Sequence, residues 1–314
     1  MSKKRKSVKG AKKGAKSAKA SGAARKSGGP PRLSARAAMA AAGSTSKGVT
    51  ERVAALNAVS LAATTEDENV PKALDILGDP DQPSEVRLAA LEALQTASFS
   101  VVSFAPFGGR YVATLRKLAD DPNPQLRESA LGLLARRKDG SAQKKLLEGL
   151  KDPAKALVAP ETALQLLSYD PHAAAYAAAR KIIDDPPSDD SRREALRLLA
   201  ADAKSAPLFE KLLRDKGEKP AIRRLAASAI HSINPRKFQE HARELVLDPT
   251  EEDDIRAVSL TALTYFGDNE AVAGDEALQN QVSRLGEASA ASVKKGARRF
   301  TKKYGDKDKK EGGD

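Results

Sequence analysis

The sequence predicts an all-α fold, a right-handed α-solenoid of about eight stacked helical hairpins behind a disordered, basic N-terminal tail. Three observations lead there. A nine-residue pattern, apolar-Arg-x-x-Ala-Leu-x-apolar-apolar, returns about every 33 residues. Asp-Pro dipeptides fall at nearly the same interval, a few residues ahead of the pattern. Positive charge is concentrated at the two ends of the chain. A period of this length marks a stack of like units, none of which can cover its own apolar face alone.

The pattern is ERVAALNAV at 51–59, VRLAALEAL at 86–94, LRESALGLL at 126–134, SRREALRLL at 191–199, IRRLAASAI at 222–230 and IRAVSLTAL at 255–263. APETALQLL at 159–167 keeps the frame with Pro160 in the arginine position, and VKKGARRFT at 293–301 is a degenerate, basic copy. Read as helix B of a hairpin, positions 1, 5, 8 and 9 share one face. Position 5 is Ala55, Ala90, Ala130, Ala163, Ala195, Ala226 and Ala297, with Ser259 as the exception. A small side chain there lets neighbouring helices approach closely.

Asp79-Pro80, Asp121-Pro122, Asp152-Pro153, Asp185-Pro186 and Asp248-Pro249 mark the turn before helix B, and Asp215-Lys216 fills the missing slot. Proline stops the preceding helix, and the aspartate is expected to accept from amides of the next. Amphipathic segments at 70–77, 111–118, 143–150, 173–183, 207–213 and 238–247 supply helix A.

The 314 residues carry a formal charge of +12, unevenly placed. Residues 1–48 hold 14 Lys and Arg and no acid, and residues 294–314 hold nine bases against four acids. The stretch between has 31 bases and 38 acids, a net of −7. Lys, Ala, Ser and Gly dominate 1–48, too little apolar surface to offset ordering entropy, so the tail is read as disordered. The boundaries expected are 1–48 tail, 49–304 solenoid and 305–314 charged C-terminal tail.

Paired helices, an Asp-Pro turn and an arginine at the second motif position resemble HEAT repeats, including the phycobilisome-lyase type, over about residues 49–304. That resemblance implies ladder pairs of Asp79, Asp121, Asp185, Asp215 and Asp248 with Arg87, Arg127, Arg192, Arg223 and Arg256. Pro160 would leave Asp152 without a partner. It also implies that helix B lines the concave surface and that the protein acts as a scaffold.

The residues offer little chemistry. There is no cysteine, which excludes disulfides and thiolate metal sites, and no tryptophan. His172, His231 and His241 lack metal-ligand spacing. HEAT-like di-iron hydroxylases need repeated His-Glu pairs, and HEAT-like alkylpurine glycosylases need tryptophans around an aspartate. Neither set occurs here. Bilin-attaching lyases contain related repeats, but no residues carry that activity over. Acid pairs such as Asp189-Asp190 stand at helix starts, where the macrodipole favours them. No catalytic residue, metal or cofactor is expected.

Four binding features are expected instead. Lys3, Lys4, Arg5, Lys6, Lys9, Lys12, Lys13, Lys16 and Lys19 form a tail suited to phosphates without base reading. Arg193, Arg197 and Arg224, at motif positions 3 and 7, form a candidate basic patch on helix B. The insertion FSVVSFAPFGGR at 99–110 offers Phe104 and Phe107 as candidate partner anchors. The last helix presents a row of lysines and arginines as a polar cap.

The expected function is a non-catalytic scaffold or adaptor for a macromolecular partner, with nucleic acid attracted by the tail. The alternative is a nucleic-acid-binding protein using the tail, the arginine patch and the last helix. A protein partner is expected, with no membrane and no small-molecule substrate. The location expected is cytoplasmic, with nucleoid or nuclear association, and not secreted.

Overall fold

A computed structural model describes residues 35–59, 61, 68–288 and 290–305. These form eight helical hairpins and no strand among the described residues. The hairpins are α1 (Ala35–Gly43) with α2 (Val49–Ala58), α3 (Asn69–Gly78) with α4 (Ser84–Ala97), and α6 (Gly108–Leu118) with α7 (Pro124–Arg136). Next come α8 (Gly140–Lys151) with α9 (Pro160–Leu167), α10 (Ala173–Asp184) with α11 (Asp189–Leu199), and α12 (Ala206–Arg214) with α13 (Pro220–Ile233). The last two are α14 (Pro235–Leu247) with α15 (Asp253–Phe266), and α17 (Glu276–Ala288) with α18 (Ala291–Tyr304). Short helices α5 (Val101–Phe104) and α16 (Asn269–Ala273) lie between hairpins.

The core runs the length of the stack. Every position-5 residue, from Ala55 to Ala297 and including Ser259, is buried. Leu94, Leu134, Leu167, Leu199, Ile230 and Leu263 at position 9 fill the space between hairpins. At the C-terminal end Gly296 lets α18 pack closely on α15, since a Cβ there would meet Leu260 at 3.3 Å.

The expected boundary at residue 48 moves. Residues 35–43 form α1, which packs against α2 and α3 as helix A of the first hairpin. Six alanines and one methionine suffice, because Ala38, Met39 and Ala42 share a face and alanine has the highest helix propensity. The low content of large apolar residues was a poor guide where the neighbouring helix comes this close. The remainder of the expected tails, 1–34 and 306–314, lies outside the described residues.

The turn aspartates fold the turns themselves rather than the next helix. Asp79, Asp121, Asp152, Asp215 and Asp248 each accept the amide two residues on, at 2.8–3.1 Å. This is the Asx-turn geometry. Helix B then starts at Pro124, Pro160 and Pro220 in three hairpins, where a missing N–H costs nothing.

Candidate functional site

The motif arginines hold the hairpins in register, but not through the aspartates of their own turns. Each donates backward to its own hairpin, forward to the next, or both. Arg52 donates to the Ala42 carbonyl at 2.7 Å and to Gln82 of the next turn. Arg87 donates to the Leu77 carbonyl at 3.2 Å and to Asp121 at 2.6 Å. Arg127 takes the Asp121 carbonyl at 2.8 Å, not its carboxylate, and the Leu157 carbonyl at 2.7 Å. Arg192 turns to Glu218, not Asp185. Arg223 bonds the Leu213 carbonyl at 2.9 Å and both oxygens of Glu251 at 2.7 and 2.8 Å, not Asp215. Arg256 closes on its own turn, on the Asp248 carbonyl at 2.8 Å and the Asp253 carboxylate at 3.0 Å. The expected pairs are therefore corrected. The Asx turn commits one carboxylate oxygen of the aspartate, and the long arginine reaches the acceptor stacked above it.

A second ladder runs along the A helices and was missed. Arg116 pairs with Asp139 at 2.7 Å, Gln143 donates to Asp170 at 2.6 Å, and Arg180 and Arg243 pair with Asp202 and Asp275. Burial opposes ionisation of Asp139, yet Arg116 and the amides of Ala142 and Ser141 hold its carboxyl below the usual range. The signal was present in the sequence: a polar residue in helix A followed 22–32 residues later by an aspartate at the head of the next A helix.

Successive B helices approach one another without a break from α2 to α18. Along the other layer, α6 and α8, α10 and α12, and α12 and α14 stand further apart. The B helices are thus the more closely packed of the two layers, and their side is termed the inner face. Motif positions 3 and 7 point outward along it and line two grooves. One, of about 560 Å³ across α4, α7 and α9, is polar and holds Glu92, Glu128, Gln165 and Tyr169. The other, of about 430 Å³ across α13, α15 and α18, is floored by Ala227, Ala257, Val258 and Ala262 and rimmed by Arg224, Lys295 and Arg299. Charge therefore changes sign along the inner face.

Arg193, Arg197 and Arg224 do share that face, but each is held by an acid. Arg193 pairs with Asp190, Arg197 with Glu194, and Arg224 with Asp254 at 2.7 Å. They are a neutralised ridge rather than an open basic patch. By contrast, no carboxylate lies within 4 Å of Lys295, Arg298, Arg299 or Lys302 among the described residues.

Phe104 is turned into the core and Phe107 half into it, which weakens both as partner anchors. Phe104 is buried edge-to-face on Tyr111 with ring centroids 5.4 Å apart, and half-buried Phe107 packs beside it at 6.3 Å. The large exposed apolar side chains of the insertion are in its first turn, where Phe99, Val101 and Val102 are 77, 75 and 90% exposed. Lys3, Lys4, Arg5, Lys6, Lys9, Lys12, Lys13, Lys16 and Lys19 lie outside the described residues.

The histidines are dispersed. His172 Nδ1 lies 2.8 Å from the Asp170 carbonyl, His231 stacks on Phe266 at 4.4 Å, and His241 is buried beside Arg214. Among the described residues no group of three or more metal-ligating side chains converges. No helix of the described residues is long and apolar enough to cross a membrane.

No family model and no curated protein matches the chain. Among solved structures it is similar to the complex of CpcE and CpcF of phycocyanin lyase from Nostoc sp. PCC7120. The similarity covers 88% of this chain and 97% of that chain at 17% identity, with a TM-score of 0.29. At that distance nothing of the lyase's activity transfers to this chain. The all-α solenoid with HEAT-like hairpins rests on the geometry of the chain itself: paired helices, Asx turns and inter-hairpin arginines repeated along one spine.

Proposed function

We propose that the chain is a non-catalytic scaffold that holds a protein partner along the inner face formed by the B helices. The observation that supports this reading is the exposed run of motif positions 3 and 7. It is acidic at Glu92, Glu128 and Glu161, ion-paired from Arg193 to Arg224 and basic at Lys295 and Arg299, with a groove in each half. Solenoids use extended concave surfaces of this kind for binding. The Lys-rich N-terminus adds non-specific attraction to nucleic acid.

Photo-crosslinking tests the scaffold reading. A crosslinking residue is placed at Thr261 or Gln165 on the inner face, or at Lys211 on an A helix, in the full chain. Discrete adducts from the inner positions and none from Lys211 are expected. Adducts from Lys211 alone would sink the reading. For the tail, changing its nine basic residues between Lys3 and Lys19 to glutamine should remove most salt-sensitive binding to duplex DNA. Unchanged binding would move the attraction elsewhere. The ion-paired state of Arg193, Arg197 and Arg224 leaves the nucleic-acid-binding alternative without free cations in the middle of its track.

A further inference from the structure

We propose that the groove across α13, α15 and α18 docks an acidic amphipathic helix of a protein partner. The partner's apolar anchors would rest on the alanine-valine floor, and its carboxylates would reach Lys295 and Arg299. This deepens the scaffold reading and rests on it.

Size and lining come first. The groove holds about 430 Å³, within the range of roughly 300–1,000 Å³ typical of ligand pockets. Its floor is aliphatic, and Phe266 at its edge, the last residue of α15, remains 55% exposed. That is room for one or two apolar side chains, not for a flat polar surface.

Charge comes second. Most cations on the folded chain are matched by an acid, and the neighbouring Arg224 is matched by Asp254. Among the described residues Lys295 and Arg299 have no such partner, and on the same helix neither do Arg298 and Lys302. Two unmatched cations one helical turn apart, beside an apolar floor, complement a helix with acids flanking its anchors.

Backbone geometry and the floor narrow the partner further. The described residues contain no sheet edge, so an extended peptide has no strand to extend. An apolar floor flanked by cations suits the helix-in-groove mode. Single-stranded nucleic acid fits less well, because it stacks successive bases on aromatic faces, and the groove offers a mainly aliphatic floor with the one exposed phenyl ring of Phe266.

The test is a selection of displayed 18-residue helical peptides on the full chain, with a 12-nucleotide single-stranded DNA as a parallel probe. Two variants are compared: Thr261→Trp, which fills the groove from an exposed position, and Lys295→Glu with Arg299→Glu, which reverses its rim. Both change exposed residues, and both must melt like the parent. The expected winners carry acids around apolar residues at i, i+3 or i+4 spacing, and lose at least about tenfold in affinity on each variant. Winners that are basic, or DNA binding that depends on Thr261, would overturn the proposal. Peptides indifferent to both variants but lost on Glu92→Lys with Glu128→Lys would overturn this groove and keep the scaffold. Peptides indifferent to every inner-face change would overturn both.

Discussion

Two junctions of the stack use the same motif position in opposite ways. Between the sixth and seventh hairpins Arg223 is 0% exposed and bonds one backbone carbonyl and two carboxylate oxygens. Between the fourth and fifth, Pro160 occupies that position and starts a helix of only eight residues. The second junction nevertheless closes, with Ala163 and Ala195 buried where α9 meets α11. Apolar packing therefore builds the stack, and the arginine fixes register where it occurs. A buried guanidinium then becomes a liability if its partner is taken away.

The largest expected effect follows from that liability. Arg223→Ala should cost about 3–5 kcal/mol, because it leaves Glu251 buried and unpaired. Arg223→Met with Glu251→Leu should recover most of the loss, since packing alone suffices at the Pro160 junction. Urea unfolding of both variants decides it. A double variant no better than the single would mean the ion pair itself holds the hairpins together.

Acid sharpens the contrast between the inside and the rim of the same junction. The Asp248 carboxyl is held down to about 2 by Lys216 and by the hydroxyl and amide of Thr250. Its unfolded value is roughly 3.9. The stabilisation is thus full above about pH 5 and is lost as pH falls through the folded value. Asp248→Asn should lower the melting temperature slightly at pH 7, and the difference from the parent should vanish near pH 2. A gap that persists at pH 2 would assign the effect to the turn rather than to charge.

The smallest expected effect is the inverse of the Arg223 case. The Tyr111 hydroxyl is buried without a hydrogen-bond partner, and burial pushes the phenol up to about 12. Tyr111→Phe removes an unmet polar group and should be neutral, or stabilising by up to about 1 kcal/mol. A clear loss in thermal melts would show that the hydroxyl is satisfied in solution.

The hairpins, the buried alanines and the outward stripe of motif positions 3 and 7 were legible because a 3.6-residue period over many copies averages out local noise. The arginine partners were not. The acceptor depends on how far the next turn rises, and that varies from 26 residues at Arg192 to 34 at Arg87. The insertion misled for a related reason. Twelve residues hold too few turns to separate buried Phe104 from exposed Val102. The cations of α18 could be counted in the sequence, but not that no acid of the described residues pairs with Lys295, Arg298, Arg299 or Lys302, which is a property of the neighbouring hairpin.

The forward reach of the arginines gives synthesis a direction. On a ribosome Arg223 can meet the Leu213 carbonyl as soon as its own hairpin closes, but Glu251 follows 28 residues later, about 1–6 s at ordinary elongation rates. A growing chain therefore carries an uncommitted guanidinium at its leading edge until the next turn emerges, and Arg256 ends the series by folding onto its own hairpin. Excising or transplanting one repeat would strand its predecessor's arginine over a turn not made to receive it.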